Sequence, residues 1–273
     1  MRYVKRGALL AVAVAMVCVA APPAMAQTNP GYEAFIGCPD DFPTVPLCLR
    51  AETNGGHIQI GKTDTPINKQ ILLTGGLNAA DGKLVFSADG GLFAPPLKVP
   101  GGLTGLTGWS EFFLNLFTGG ANDVYAQAIL VGDAFNELTI DGNVVLTLPI
   151  RVKLINPFLI STCSIGSAGS PISLKMTTGT TSPPLPNKPI SGKFNSFGPD
   201  PVLPGVFVST DDTFVDNSFS APSASGCDLF GFGLINAIVN ARVGLPAAAG
   251  TNTAQFTKTD LKLAASLAVY PFP

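Results

Sequence analysis

The chain has 273 residues, of which 46% are hydrophobic and only 12% are charged, and its formal net charge is −2. This weakly acidic balance argues against nucleic acid and anionic lipid as partners, because both are bound through basic surfaces. The length is sufficient for one large domain or two small ones with a real hydrophobic core.

The first 26 residues have the pattern of a secretory signal peptide. Three basic residues precede an apolar run over residues 7–21, and Ala-Met-Ala at 24–26 forms a small-residue cleavage site. The run is too short for a membrane anchor and ends in two prolines, and no later segment is predicted to span a membrane. We predict a mature chain that begins near Gln27, carries 13 Lys and Arg against 18 Asp and Glu, and is secreted or associated with the cell wall.

Four cysteines follow this leader. An even number of cysteines in an exported chain favours two disulfides, and three pairings are open. We favour Cys38 with Cys48, which closes a short Pro-rich segment, and Cys163 with Cys227, which joins distant parts of the C-terminal half. A metal site is disfavoured, because the cysteines lack Cys-x-x-Cys spacing and His57 is the only histidine.

Composition and periodicity predict a mainly β chain. Gly, Pro, Thr and Val are frequent, which suits short strands joined by tight turns. Runs that alternate apolar and polar residues, as half-buried strands do, occur at residues 57–60, 83–87, 137–140, 144–148, 151–154 and 206–208. Asp-Gly-Asn at 141–143 is a hairpin signal. The predicted architecture is a β-sandwich or split barrel with one or two short apolar helices.

Two apolar segments, residues 106–117 and 229–243, depart from the strand pattern. The second is predicted to be helical, because its apolar residues wrap most of the circumference, and Gly244 followed by Pro246 forms a stop. We favour a buried helix that closes one end of the β core. A membrane-active or lipid-gating helix is the alternative.

The order of local signals recurs along the chain at a spacing of about 120 residues. Lys69 matches Lys188 and Phe86 matches Phe207, and an Ala-Pro pair, an apolar segment and Ala-Gln follow in each half. This order indicates a diverged tandem duplication, with coincidence in a Gly- and Pro-rich sequence as the alternative. The predicted organisation is a signal peptide (1–26) and two β-rich units (27–142 and 143–273), which could form one continuous domain. A cleft between the units would be the natural ligand site.

Most motifs of enzyme chemistry are missing from the sequence. A Ser-His-Asp or Cys-His site would have to use His57, and no Gly-x-Ser-x-Gly turn or phosphate-binding loop accompanies it. Two acidic clusters could serve a hydrolase or bind calcium, although solvated turns are favoured for both; they are Asp40 with Asp41, and Asp211 with Asp212 and Asp216. We predict no catalytic residues, no cofactor and no metal.

The C-terminal part of the chain resembles a group of secreted proteins from high-GC Gram-positive (actinobacterial) bacteria that has no assigned function. The resemblance is carried by residues 151–159, 163–167, 177–184, 186–192, 215–222 and 244–254. It implies export and supports the pairing of Cys163 with Cys227. It implies no catalytic residues.

Three functions agree with these patterns. The preferred one is a non-catalytic protein of the cell envelope or extracellular matrix that acts through its surface or structure. The second is a carrier of an apolar or lipid ligand, since the charge is low and two apolar helices could line a cavity. The third is a carboxylate-dependent hydrolase. An enclosed apolar cavity would favour the carrier, and two close carboxylates in a cleft would favour the hydrolase. The predicted partners are the cell wall or an apolar small molecule.

Overall fold

The computed structural model describes residues 28–138, 142–228 and 233–270, so the predicted signal peptide lies outside the described residues. A 3₁₀ helix at Glu33–Phe35 precedes the first strand. The strands are β1 Leu47–Ile60, β2 Thr63–Pro66, β3 Ile71–Leu77, β4 Leu84–Val85, β5 Gly91–Phe93, β6 Leu97–Val99, β7 Val124–Leu130, β8 Phe135–Leu138, β9 Val144–Ile155, β10 Ser164–Ile165, β11 Ile172–Thr177, β12 Gly198–Pro199, β13 Val206–Asp216, β14 Ala224–Ser225 and β15 Thr253–Ala265. The α-helices are α1 Trp109–Thr118, α2 Leu234–Val243 and α3 Ser266–Val269.

The fifteen strands of the described chain form one antiparallel sheet that curls on itself. Its main path runs β14-β10-β9-β11-β13-β15-β1-β3-β4, and β7 and β8 pair with β9. A bridge between Lys83, next to β4, and Phe135 of β8 links β4 to the part of the sheet around β9. The prediction of a mainly β fold of sandwich or split-barrel type with short helices is therefore confirmed.

The longest pairing in the sheet joins β1 to β15. Their register runs from Leu47 opposite Ala265 to Gln59 opposite Thr253. Gly56 lies in this pairing with φ +111°, and a Cβ there would stand 1.9 Å from the main-chain oxygen of Gln255, so only glycine permits the approach. Strands from both predicted units thus share one sheet, while the tandem duplication stays a prediction.

Two predicted strands are joined in the structure, and another is shorter than predicted. The runs 144–148 and 151–154 form the single strand β9. Pro149 lies within it opposite Ser173 of β11, and the alternation of more and less buried side chains continues past this proline. The run 83–87 keeps only Leu84 and Val85 in β4. For the predicted hairpin, β8 and β9 do pair, with Leu138 opposite Val144, although residues 139–141 lie outside the described residues.

The inner face of the curled sheet carries the main hydrophobic core. In β11, Ile172, Leu174 and Met176 are buried, whereas the intervening Ser173 and Lys175 are exposed. This alternation follows from the period of two in a pleated strand. A second, smaller cluster covers one end of the sheet and consists of Phe35, Cys38, Val45, Cys48, Val206, Ala264, Val269 and Tyr270.

Two disulfides are present. Cys38 is bonded to Cys48 inside the smaller cluster. Cys163, just before β10, is bonded to Cys227, just after β14, and β10 and β14 are paired with each other. None of the described helices has the length and apolar character needed to span a bilayer.

We expect the two disulfides to contribute unequally to stability. Replacing Cys163 and Cys227 by alanine should lower the free energy of unfolding by about 4 kcal/mol, and replacing Cys38 and Cys48 by about 3 kcal/mol, because the cost of loop closure in the unfolded chain grows with loop length. The two loops span 64 and 10 residues. Urea unfolding of both double variants measures the difference. A larger loss from the shorter loop would contradict this account.

Candidate functional site: an apolar cavity beneath α2

The acidic residues singled out in the sequence do not meet in a cleft. Asp40 and Asp41 are exposed before β1, and Asp211 is exposed in β13, whereas Asp212 and Asp216 are buried. Both buried carboxylates accept hydrogen bonds from main-chain nitrogens, as structural carboxylates do. Within the described ranges, no three His, Cys, Asp or Glu side chains are grouped so that they could hold a metal ion.

Asp212 is the most deeply buried of these carboxylates. Its Oδ1 accepts hydrogen bonds from the Asn195 main-chain nitrogen at 2.8 Å and from the Ser209 hydroxyl at 2.9 Å. Its Oδ2 is buried and has no partner among the described residues. Burial raises the pKa of Asp212 above its ordinary value, since an ionised carboxylate loses its hydration there, and the nearby Asp260 adds to the rise.

His57 does not reach an active-site arrangement. It lies half-buried in β1, opposite Gln255 of β15 on one side and Pro66 of β2 on the other. Its neighbour Ile58 lines the cavity described next. Because side chains alternate along a strand, His57 faces away from that cavity.

An apolar cavity opens between the sheet and α2. Its floor is formed by inward-facing residues of several strands and its cover by one side of α2. The strand residues are Ile58, Ile60, Thr63, Thr65, Ile71, Leu97, Val99, Val124, Ala126, Ala128, Val152, Leu154 and Ile165; the α2 residues are Ile238, Val239, Arg242 and Val243. Hydrocarbon dominates this lining.

The cavity is much larger than an ordinary packing gap. About 90 Å³ of its interior admits the centre of a water-sized sphere, whereas a single water needs roughly 10–15 Å³ by the same measure. Ordered water needs several polar partners, and most of this lining is hydrocarbon. The space therefore suits an apolar ligand better than solvent.

Small residues on β7 create this space. Ala126 and Ala128 point inward two residues apart, and they pair with Leu154 and Val152 of β9. A bulky side chain at either alanine would fill volume that the neighbouring strands leave open.

Polar contacts on one side hold α2 over the cavity. The two carboxylate oxygens of Asp228 accept hydrogen bonds from main-chain nitrogens of the first turn, at 2.7 and 3.1 Å. Further along, Asn236 Oδ1 accepts from the Cys227 nitrogen at 2.9 Å, and Asn240 Oδ1 accepts from the Ala224 nitrogen at 2.7 Å. The helix is thus attached to the segment that the Cys163–Cys227 disulfide ties to the sheet.

The predicted burial of this helix is wrong for part of its surface. Val239 is buried, but Leu234 is 65% exposed and Ile238 is 50% exposed. Ile238 nevertheless belongs to the cavity lining, so it lies at the mouth. The predicted stop at Gly244 is confirmed: Gly244 is left-handed and its nitrogen donates to the Asn240 oxygen. Of the predicted helix 229–243, residues 229–232 lie outside the described residues.

Arg242 is the one charged residue in the lining. Its Nη2 donates to the Pro100 oxygen at 3.3 Å, while its Nε is buried and unpartnered within the described residues. The loop before α1 allows this close approach through two glycines with positive φ. A Cβ at Gly105 would lie 2.8 Å from Nε, and a Cβ at Gly101 would lie 2.9 Å from Nη2.

A second unpartnered polar atom belongs to a residue of the same lining. The Thr63 hydroxyl is buried and lacks a hydrogen-bond partner among the described residues. The main-chain nitrogen of Lys62 donates to the main-chain oxygen of Val243 at 2.7 Å. This bond fastens the turn just before Thr63 to the last turn of α2, in which Arg242 lies. Neither residue was predicted as a site residue from the sequence. The available signal was Arg242, the single charged residue of α2.

The helix α1 presents an apolar face to solvent outside the cavity. Trp109 is 78% exposed and Phe117 is 85% exposed, and Phe112 and Leu116 are also exposed. On the other side, Glu111 Oε1 lies 3.2 Å from Lys98 Nζ, which fixes the helix to β6. Exposed apolar clusters of this kind are typical of contact surfaces.

Comparisons with protein-family models, with curated proteins and with solved structures found no match for the chain.

Asp212→Asn should remove a pH-dependent loss of stability. Because the folded pKa is raised, the folded state holds its proton to higher pH than the unfolded state. The free energy of unfolding therefore falls progressively as the pH rises from the ordinary aspartate pKa of about 3.9 through the raised pKa of the folded state. We expect the variant to gain stability relative to the parent protein over that interval, and the two to converge at lower pH.

Urea unfolding across this pH interval measures the effect. Asp211→Asn is the matched control, since Asp211 is exposed and its change should alter stability by less than about 0.5 kcal/mol at every pH. A constant difference between Asp212→Asn and the parent protein would contradict the assignment.

Proposed function

We propose that this protein binds an apolar small molecule in the cavity beneath α2. The observation that carries the proposal is a roomy cavity with almost wholly hydrocarbon walls, covered by a helix that is fastened on one side and exposed at the mouth. Pockets of this character are the usual sites for apolar ligands. Among the functions considered from the sequence, this observation favours the carrier.

The hydrolase is less well supported. The carboxylates that it would need are either exposed or buried within main-chain hydrogen bonds, and the cavity lining contains no acidic residue. Glycoside hydrolysis needs two carboxyl groups on either side of a bond. The described residues offer no such pair at the cavity.

Export to an extracellular or cell-wall setting is part of the proposal. The signal-peptide pattern of residues 1–26 and the two disulfides support it, because disulfides persist in oxidising compartments. In that setting an apolar molecule needs a protein to shield it from water.

Native mass spectrometry of the secreted protein tests the carrier function first. We expect a mass excess in the native spectrum that disappears on denaturation and corresponds to an extractable apolar compound. After extraction, the neutral probe N-phenyl-1-naphthylamine should bind saturably at one site. A ligand-free native mass together with no saturable probe binding would overturn the proposal.

Filling the cavity should prevent probe binding. Ala126→Phe places an aromatic ring in the space between β7 and α2, and we expect probe affinity to fall at least about tenfold. Ala128→Leu is a milder second variant in case the phenylalanine impairs folding. Ala80→Phe, at an exposed turn, is the matched control and should bind the probe as the parent protein does. Equal affinity in all the variants would place the probe elsewhere.

A second candidate function is contact with a lipid surface through α1. The exposed aromatic face of this helix favours it, because Trp and Phe partition into the membrane interface. Trp109 is the only tryptophan of the chain, so intrinsic fluorescence reports on this helix alone. We expect a blue shift on addition of phosphatidylcholine vesicles, and its loss in Phe117→Ser. An unchanged spectrum would exclude this contact.

A further inference from the structure

We propose that the ligand is an amphiphile with a single anionic head, a long-chain carboxylate, whose head lies between Arg242 and Thr63. This inference rests on the proposed function, since it specifies the ligand of the same cavity. The tail would lie along β7 and β9, where Ala126 and Ala128 leave space.

Two buried polar groups of the cavity lining have unmet hydrogen-bonding capacity. The Arg242 Nε–H is buried without an acceptor, and the Thr63 hydroxyl is buried without any partner among the described residues. Buried polar groups in folded proteins are nearly always satisfied, because leaving one unpaired costs about 1–3 kcal/mol. A carboxylate can accept from both groups with its two oxygens.

The positive charge of Arg242 is not paired with a carboxylate among the described residues, although the protein as a whole is acidic. Lys62, whose side chain lies against Gly244 at the end of α2, adds positive charge there. Asp64 is the acidic residue next to Thr63 in the sequence. It is exposed on the face of β2 opposite to Thr63 and Thr65, so its carboxylate faces away from the cavity.

A partly buried guanidinium beside hydrocarbon is costly unless an anion is paired with it. Gly101 and Gly105 leave room for the Arg242 side chain against their loop, and its Nε is buried there without an acceptor among the described residues. The two buried donors, the Arg242 Nε–H and the Thr63 hydroxyl, match the two oxygens of a single carboxylate.

Displacement of N-phenyl-1-naphthylamine by three ligands of equal chain length tests the proposal. These are hexadecanoate, its uncharged methyl ester and hexadecyl phosphate, titrated at neutral pH into the extracted protein. Because hydrogen bonds to charged groups contribute about 1.5–3 kcal/mol, we expect hexadecanoate to bind about ten- to a hundredfold more tightly than the ester. In Arg242→Met this ratio should fall to about one.

Two further variants keep the test decisive. Thr63→Val removes the hydroxyl with little change of shape and should reduce the acid-to-ester ratio by a smaller factor. Arg151→Met makes the same exchange at an exposed position on the outer face of β9 and should leave the ratio unchanged. If Arg242→Met fails to fold, Thr63→Val carries the test alone.

The outcomes separate this inference from the proposed function. Equal affinity of the parent protein for hexadecanoate and its methyl ester would overturn the anionic head and leave the apolar carrier in place. Tighter binding of hexadecyl phosphate than of hexadecanoate would overturn the carboxylate. Binding of neither the probe nor any of the three ligands would overturn the carrier function itself.

Discussion

The pairing of β1 with β15 is the constraint on which the rest of the structure depends. It joins residues about two hundred positions apart, as the contact between the Thr53 and Thr259 hydroxyls illustrates. On their other edges, β15 pairs with β13 and β1 pairs with β2 and β3, so this ladder carries both flanks of the curled sheet. The cavity is lined by β1 and β2 from one flank and by β7 and β9 from the other, so it lies inside the curl that this ladder sustains.

The sequence predicts local structure here better than it predicts pairing. Alternation located parts of β1, β9 and β13, because burial of one face leaves a period of two in the residues. In β15, Ala254 and Phe256 are buried, but the next buried residues are Thr259 and Leu261, so the period of two is broken near Lys258, whose φ is +52°. Register depends on partners that are distant in the chain, so no local pattern specifies it.

The sequence suggested an apolar cavity as one alternative, but the position and lining of that cavity could not be foreseen for a related reason. An alanine on a strand is compatible with a filled core, and only the position of Ala126 beneath α2 turns its small size into empty volume. Arg242 likewise resembles any surface arginine until the helix orientation is known. The residues that attract notice in the sequence, His57 and the aspartates, proved to be parts of strands and turns. Chemistry-bearing residue types indicate a site only when the fold brings them together.

The fastening of α2 has a consequence for how long a ligand would stay. The helix that covers the cavity is bonded to residues 224–228, and the disulfide between Cys163 and Cys227 fixes that segment to the sheet. Release of a ligand past Ile238 would therefore require the cover to move against a covalent tether. The hold of this cover would then depend in part on the thiol state of its surroundings, since reduction of that disulfide would leave the segment bonded to α2 attached to the sheet by hydrogen bonds alone.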